Sequence, residues 1–283
     1  MLTGPAFLVL LVLVLVALLL VRSALKPVTT KRVAQFVDRT GVHLTPRNAP
    51  IVADGLARTV RWRSAGVLVA SSICLTALVY SFALARTATV GSGAVVVLAC
   101  GFLAGAVIGE VGNAVHRGDG PRVASLARRD EGDYVGPWAR RIPAATAAGS
   151  VVTWALLCLH MDTLVSVDLL AGAVVPWLVA RWATGTILER PRPADTAPDV
   201  VTADDGLRSR GLHAVGGPVV LMGTWAFASL VSALLTDVRA VGTALPVLYL
   251  VALLGCARLA WVLAVRPFPV VLEVEAVAAG DTA

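Results

Sequence analysis

The topology of this chain depends on one stretch of sequence, SVDLLAGAVVPWLVARWATG, at residues 166–185. A helix needs about 20 mostly apolar residues to cross the hydrocarbon core of a bilayer, and this stretch has that length. Two charges interrupt it, Asp168 near one end and Arg181 near the other. Whether the stretch crosses decides between six and seven spans, and therefore fixes the side of the membrane on which each later loop lies.

Six other windows carry no charge and meet or approach the same length. They are residues 1–21, 64–85, 87–109, 142–161, 211–236 and 240–257. The composition agrees with them, since 57% of the residues are hydrophobic, only 15% are charged and the mean hydropathy is +0.80. Soluble domains are about half apolar and a quarter charged. This composition argues against a soluble globular protein, a disordered chain and a disulfide-rich secreted module, and it predicts an integral membrane protein.

The distribution of basic residues favours seven spans. If residues 166–185 cross, 22 of the 24 Lys and Arg residues face one side of the membrane. They lie in the segments 22–63, 110–141, 181–213 and 258–283. Only Arg86 and Arg239 face the other side. Because cytoplasmic loops carry the excess of Lys and Arg, we expect a multi-pass protein of the cell membrane with its N-terminus outside and its C-terminus in the cytoplasm.

These spans predict an all-α polytopic transmembrane bundle. It has an N-terminal anchor (1–22), a cytoplasmic amphipathic segment (23–63), a six-helix bundle (64–266, as hairpins 64–112, 142–188 and 214–265) and a cytoplasmic tail (267–283). The phrases ADGLAR (53–58) and ADDGLR (203–208) precede the first and third hairpins, so the hairpins are either repeats or chance matches in a biased composition. Three prolines and four aspartates predict that residues 191–205 form a solvated linker.

Glycines at spacing four predict a packing face on the third span. Gly101, Gly105 and Gly109 share one side of a helix and allow a second helix to approach closely. We expect this span to be the central packing helix of the bundle, rather than the lining of a pore.

Three ionisable residues stand out because each lies near the cytoplasmic end of a span. Glu110, Arg181 and Arg258 form a candidate intramembrane charge cluster, since ionisable groups in a membrane are costly and are usually paired or face a cavity. A Glu110–Arg181 or a Glu110–Arg258 pair would provide a gate or a contact for an anionic substrate. The alternative is that the arginines extend to the interface and Glu110 is solvated.

Motifs for catalysis, cofactors or metals do not appear in the sequence. There is no Gly-x-x-x-x-Gly-Lys phosphate loop, no His-Glu-x-x-His motif and no Cys-x-x-Cys pair. DGLAR at residues 54–58 is similar to the Asp-Gly-x-x-Ala-Arg motif of CDP-alcohol phosphotransferases, but it is one residue short and lacks the downstream aspartates. The sequence therefore predicts a chain that is not an enzyme, with no catalytic residue, cofactor or metal. Nucleic-acid binding is not expected either, because the arginines cluster at membrane edges.

The hydropathy pattern, with the loop phrases RVASL (122–126) and DYV (133–135), resembles uncharacterised multi-pass membrane proteins of high-GC bacteria. That resemblance implies a membrane bundle and brings no activity. Two functional hypotheses remain. The first is a non-enzymatic accessory or scaffold protein whose partners are the lipid bilayer and a membrane or cytoplasmic protein. The alternative is a small-solute transporter or permease component, which would show a polar cavity at mid-membrane.

Overall fold

The computed structural model describes residues 28–85, 93–116, 130–161, 167–190 and 197–235, together with the single helical positions 251, 254, 255, 258, 259 and 262. In these residues the regular structure is helical throughout, without a strand, which confirms the all-α class. The helices are α1 (Thr30–Thr40), α2 (Ala49–Ala85), α3 (Gly93–His116), α4 (Pro137–Met161), α5 (Val167–Glu189) and α6 (Pro198–Leu235), with a short 3-10 turn at Glu131–Asp133.

Three of these helices are long and apolar enough to cross a membrane, which is consistent with a membrane protein. They are α4 over Pro137–Leu159, α5 over Val167–Glu189 and α6 over Pro198–Leu235. α3 contains a shorter apolar segment, Val97–Asn113. The predicted span 1–21 and most of the predicted span 240–257 lie outside the described residues.

Residues 167–185 of the stretch that decides the topology lie in one helix, α5, despite its two charges. Asp168 lies in the first turn, where a carboxylate interacts favourably with the positive end of the helix dipole. Pro176 lies inside the helix, and proline is tolerated in membrane helices because neighbouring helices satisfy the freed backbone groups.

α2 and α3 pack so closely that their backbones touch. A Cβ atom built on Gly66 or Gly101 would overlap the backbone of the other residue, and one on Gly105 would overlap the carbonyl of Trp62. At Gly109 the same atom would lie 3.3 Å from the Cα of Thr59. Every glycine of the predicted packing face therefore lies against α2, and its missing side chain is what permits the contact.

Among the described helices, α6 packs against α2, α3, α4 and α5, and α3 packs against α2, α5 and α6. That the third span is the central packing helix stays a prediction. The apolar core between these helices includes Leu103 of α3, Ile187 of α5 and Val219 of α6. More than half of the residues of α6 are buried, both apolar residues and several charged ones.

A second apolar cluster joins α1 to the start of the bundle. α1 ends at Thr40 and is capped by Gly41, which has a left-handed φ of +70° and turns the chain back towards α2. Phe36 and Val42 are then buried against apolar residues of α2 and α6. The members of this cluster are Phe36, Val42, Val52, Leu56, Ala203 and Leu207.

Two segments that the sequence predicts to lie outside the bundle are continuous with its helices. α2 begins at Ala49, after Asn48, and runs unbroken to Ala85. α6 begins at Pro198, so the predicted solvated linker at 191–205 is helical in its second half. Asp204 and Asp205 are buried there, because each carboxylate has a partner that replaces water.

Candidate functional site

Arg208 of α6 lies at the centre of a buried set of charges. Its side chain is 0% exposed, and its Nε donates to Oδ2 of Asp204 at 2.9 Å, four residues earlier on the same helix. The other carboxylate oxygen of Asp204 pairs with the guanidinium of Arg190, which is also buried. Oδ1 of Asp205 lies 3.9 Å from the Nε of Arg208. We call these four residues, with two positive and two negative charges, the α6 ion network.

The rest of the Arg208 guanidinium binds the end of α5. Nη1 donates to the carbonyl oxygens of Ile187 at 2.9 Å and Leu188 at 3.2 Å, and Nη2 donates to that of Arg190 at 2.8 Å. The last four carbonyls of an α-helix have no partner within the helix, and they form the negative end of its dipole. Arg208 therefore acts as a side-chain cap that fixes the end of α5 to α6.

The 3-10 turn before α4 is joined to the same network. Asp130 and Asp133 cap the turn reciprocally, which places Tyr134 directly after it. The Tyr134 hydroxyl donates to Oδ1 of Asp205 at 3.0 Å, and the Ser209 hydroxyl donates to the Tyr134 carbonyl at 3.0 Å. The α6 ion network thus holds α5, α6 and the turn before α4 in one arrangement.

Glu110 of α3 is buried in a separate polar contact beside α2 and α6. Its Oε1 accepts from the Thr59 hydroxyl at 2.9 Å and lies 3.8 Å from Nη2 of Arg63. Nδ2 of Asn113 donates to the Thr59 hydroxyl at 3.3 Å. A Cβ on Gly211 of α6 would lie 2.9 Å from Oε2 of Glu110, so this carboxylate fills the space that the glycine leaves.

The structure gives Glu110 and Arg181 different partners. Glu110 contacts Thr59 and lies near Arg63, whereas Nη1 of Arg181 pairs with Oε2 of Glu131 at 3.0 Å. The Arg181 side chain is 60% exposed. Arg258 lies at a helical, exposed position.

Four buried charged residues that we did not predict as site residues form the α6 ion network: Arg190, Asp204, Asp205 and Arg208. A sequence signal for them exists, because the spacings Asp204 to Arg208 and Asp205 to Arg208 place opposite charges on one helix face. Their position beside three prolines in a polar stretch favoured a loop instead. The partners Arg190 and Tyr134 come from other elements, so their distances along the chain give no signal.

A cleft of about 50 Å³ opens between the 3-10 turn, α4, α5 and α6. Arg181 and Glu131 lie on its wall together with Arg140 and the largely buried His213. Trp177 and Val219 supply part of its apolar lining. Among the described residues no group of three His, Cys, Asp or Glu side chains is placed to hold a metal ion.

The arrangement supports structural roles more directly than chemical ones. In the α6 ion network the two arginines face the two aspartates, and Arg208 also satisfies backbone carbonyls. Buried charges that are paired in this way fix a geometry, and breaking the pairs is costly. Comparison of the chain with protein-family models, with curated proteins and with solved structures gives no match. A function for this chain is therefore inferred from its own residues and contacts.

Proposed function

We propose that this chain is a non-enzymatic accessory or scaffold protein of the cell membrane, which binds another protein at its cytoplasmic side. We further propose seven spans, with the N-terminus outside and the C-terminus in the cytoplasm. The distribution of basic residues supports that orientation, since 22 of 24 then face the cytoplasm.

The observation that carries the proposal is the docked state of the segment before α2. We call residues 30–48 the cytoplasmic cap. The Thr45 hydroxyl donates to Oδ2 of Asp199 at 2.5 Å, and Nδ2 of Asn48 donates to the Asp199 carbonyl at 3.1 Å. With Phe36 and Val42 in the apolar cluster, these bonds hold the cap against α2 and α6. An interaction surface on a rigid support loses less conformational entropy when it binds a partner.

The outer face of the cap presents residues that a partner protein can contact. Leu44 is 41% exposed, and Lys31, Arg32 and Arg47 are exposed as well. An exposed apolar side chain among basic residues suits a partner with an apolar site and an acidic rim.

Affinity purification of the full-length protein from cross-linked membranes tests the proposal. The wild-type chain is expected to retain a partner that the double variant Leu44→Asp/Arg47→Glu loses. Arg141→Glu is the matched control, because Arg141 is exposed near the start of α4, away from the cap. Equal recovery of every associated protein by the wild-type chain and the double variant would contradict a partner site on the cap.

The alternative function, a small-solute transporter or permease component, is favoured by the cleft beside Arg181. Charged and polar groups converge there between three helices, as in a solute site. Substrate-uptake profiling of a deletion strain discriminates between the two functions. A transporter predicts one lost uptake activity that the wild-type gene restores and Arg181→Gln does not, whereas Trp182→Phe, next to it on α5, restores it.

A further inference from the structure

Two arginines lie beside the buried carboxylate of Glu110. Nη2 of Arg63 on α2 lies 3.8 Å from its Oε1. Arg210 of α6 directly precedes Gly211, where a Cβ would lie 2.9 Å from Oε2 of Glu110. We call Arg63 and Arg210 the arginine cluster, which carries two positive charges beside the one negative charge of Glu110.

The Arg63 side chain has two hydrogen-bond donors that are not used within the arginine cluster. Its Nε and Nη2 atoms are buried and donate no hydrogen bond to any described residue. The distance from Nη2 to Oε1 of Glu110, 3.8 Å, is too long for a hydrogen bond. The guanidinium lies over the ring of Phe102, with its carbon 5.4 Å from the ring centroid, so its plane is held in place.

The two unsatisfied atoms point in the same direction. Nε and Nη2 form one edge of the planar guanidinium, the edge that donates two parallel hydrogen bonds to two oxygens of a phosphate or carboxylate. The Glu110 carboxylate does not accept these two parallel hydrogen bonds, because its Oε1 accepts from Thr59 and its Oε2 lies against Gly211. This edge therefore has two donors for which the described residues supply no acceptor.

The depth of the cluster in the bundle indicates which acceptor suits this edge. Arg63, Glu110 and Arg210 each directly flank a predicted span, at residues 64–85, 87–109 and 211–236. Trp62 beside them is 43% exposed, as expected for an aromatic side chain at a membrane interface. Phosphate groups of lipids lie at this depth, and basic pockets between membrane helices on the cytoplasmic side bind anionic headgroups.

We infer that the arginine cluster binds a phosphate group, with Arg63 donating from Nε and Nη2 and Arg210 supplying the second positive charge. The phosphate belongs either to the headgroup of an anionic phospholipid or to a free phosphate ion. Glu110 limits the affinity, because its negative charge opposes the ligand and partly neutralises Arg63. This inference does not depend on a protein partner at the cytoplasmic cap.

Binding to the purified full-length protein in detergent tests the inference. The probes are phosphatidylglycerol and phosphatidylcholine, titrated in native mass spectrometry, and inorganic phosphate, titrated in a thermal-shift assay. Arg63→Gln and Arg210→Gln are each expected to weaken binding about tenfold, the effect of losing one charge-assisted hydrogen bond. Arg61→Gln is the matched control: it removes the same charge from an exposed position two residues from Arg63 and should leave affinity within about twofold of wild type.

Glu110→Gln provides a test that misfolding cannot imitate, because it is expected to strengthen binding severalfold. Preference for phosphatidylglycerol without a response to inorganic phosphate identifies a lipid headgroup as the ligand, and a response to inorganic phosphate identifies a free anion. Both results support a phosphate site if Arg63 and Arg210 are required. Equal losses in Arg61→Gln and Arg210→Gln, weaker binding in Glu110→Gln, or no binding of any probe would overturn the inference.

Discussion

Two similar phrases of sequence, ADGLAR at residues 53–58 and ADDGLR at residues 203–208, lie in very different environments. We call them the α2 segment and the α6 segment. In the α2 segment Asp54 is exposed, and Nη1 of Arg58 lies 3.5 Å from a single carbonyl, that of Gly112 in α3. In the α6 segment Asp204 and Arg208 are buried, and Arg208 donates to three carbonyls at the end of α5.

The difference shows that the environment of a charged segment depends on which helices surround it. In both segments the arginine points towards the last turns of a neighbouring helix. Both segments pack against the cytoplasmic cap, through Leu56 and Leu207, but the charges of the α6 segment also contact the end of α5 and the 3-10 turn. These charges therefore hold the fold together, whereas those of the α2 segment remain near solvent. Substitutions in the two segments test this contrast, beginning with the largest expected effect.

Arg208→Met should cause the largest loss of stability. It leaves Asp204 with one partner fewer and three carbonyls unsatisfied, and breaking a buried ion pair costs about 3–5 kcal/mol. Arg58→Met in the α2 segment should cost less than about 1 kcal/mol, since it removes one long contact. Thermal unfolding in detergent measures both. Equal losses for the two variants would remove the distinction between the segments.

Asp204→Asn should cost about 3 kcal/mol, because two buried arginines lose their shared negative partner. Asp54→Asn should have an effect within about 0.5 kcal/mol, as for most surface substitutions. In a double-mutant cycle, Asp204→Asn combined with Arg208→Met should cost clearly less than the sum of the single changes, since both disrupt one contact. Strict additivity would show that the pair is not coupled in the protein.

Gly206→Ala should destabilise the docking of the cytoplasmic cap. A Cβ at Gly206 would lie 2.8 Å from Cγ2 of Val42 and 3.1 Å from Cζ of Phe36, so either the cap or α6 must shift. Overpacking of this kind costs about 1–3 kcal/mol. Gly216→Ala is the control on the same helix, because nothing lies within 4 Å of a Cβ there. Limited proteolysis of the cap should be faster in Gly206→Ala alone, and unchanged rates would argue against cap packing on Gly206.

Tyr134→Phe should cost less than either Arg208→Met or Asp204→Asn. It removes the hydroxyl that donates to Asp205, a residue with no counterpart in the α2 segment. The loss of one hydrogen bond to a charged group costs about 1.5–3 kcal/mol, and we expect the low end because Asp205 also lies near Arg208. The change in unfolding temperature measures it. A loss as large as that of Arg208→Met would show that α6 is held mainly by its contact with the 3-10 turn and not by its contact with the end of α5.

Hydropathy alone predicts the helical class and the apolar parts of α2 to α6, because about twenty apolar residues can satisfy their backbone in lipid only as a helix. The spacing of Gly101, Gly105 and Gly109 predicts a packing face, and that face lies against α2. Hydropathy gave no sign that α6 would pack against four of the described helices, since the apolarity of a helix does not identify its neighbours.

The charged contacts were harder to predict from sequence. Polar composition at residues 191–205 suggested a linker, because exposure is the usual state of aspartate and proline. Burial of Asp204 depends on Arg190 and Arg208, and the latter is held by carbonyls of α5. Glu110 likewise lies near Arg63, a residue 47 positions earlier on another helix. Pairs of this kind depend on the packing of helices, which sequence spacing does not define.

Hydrogen exchange of residues 198–210 in the purified protein tests the central claim most directly, namely that this segment is a buried part of the fold. In the wild-type protein its backbone amides should remain protected for hours, in line with the apolar part of α6. Arg208→Met should abolish this protection and Arg58→Met should not. Complete exchange within seconds in the wild-type protein, as in a solvated linker, would contradict the account.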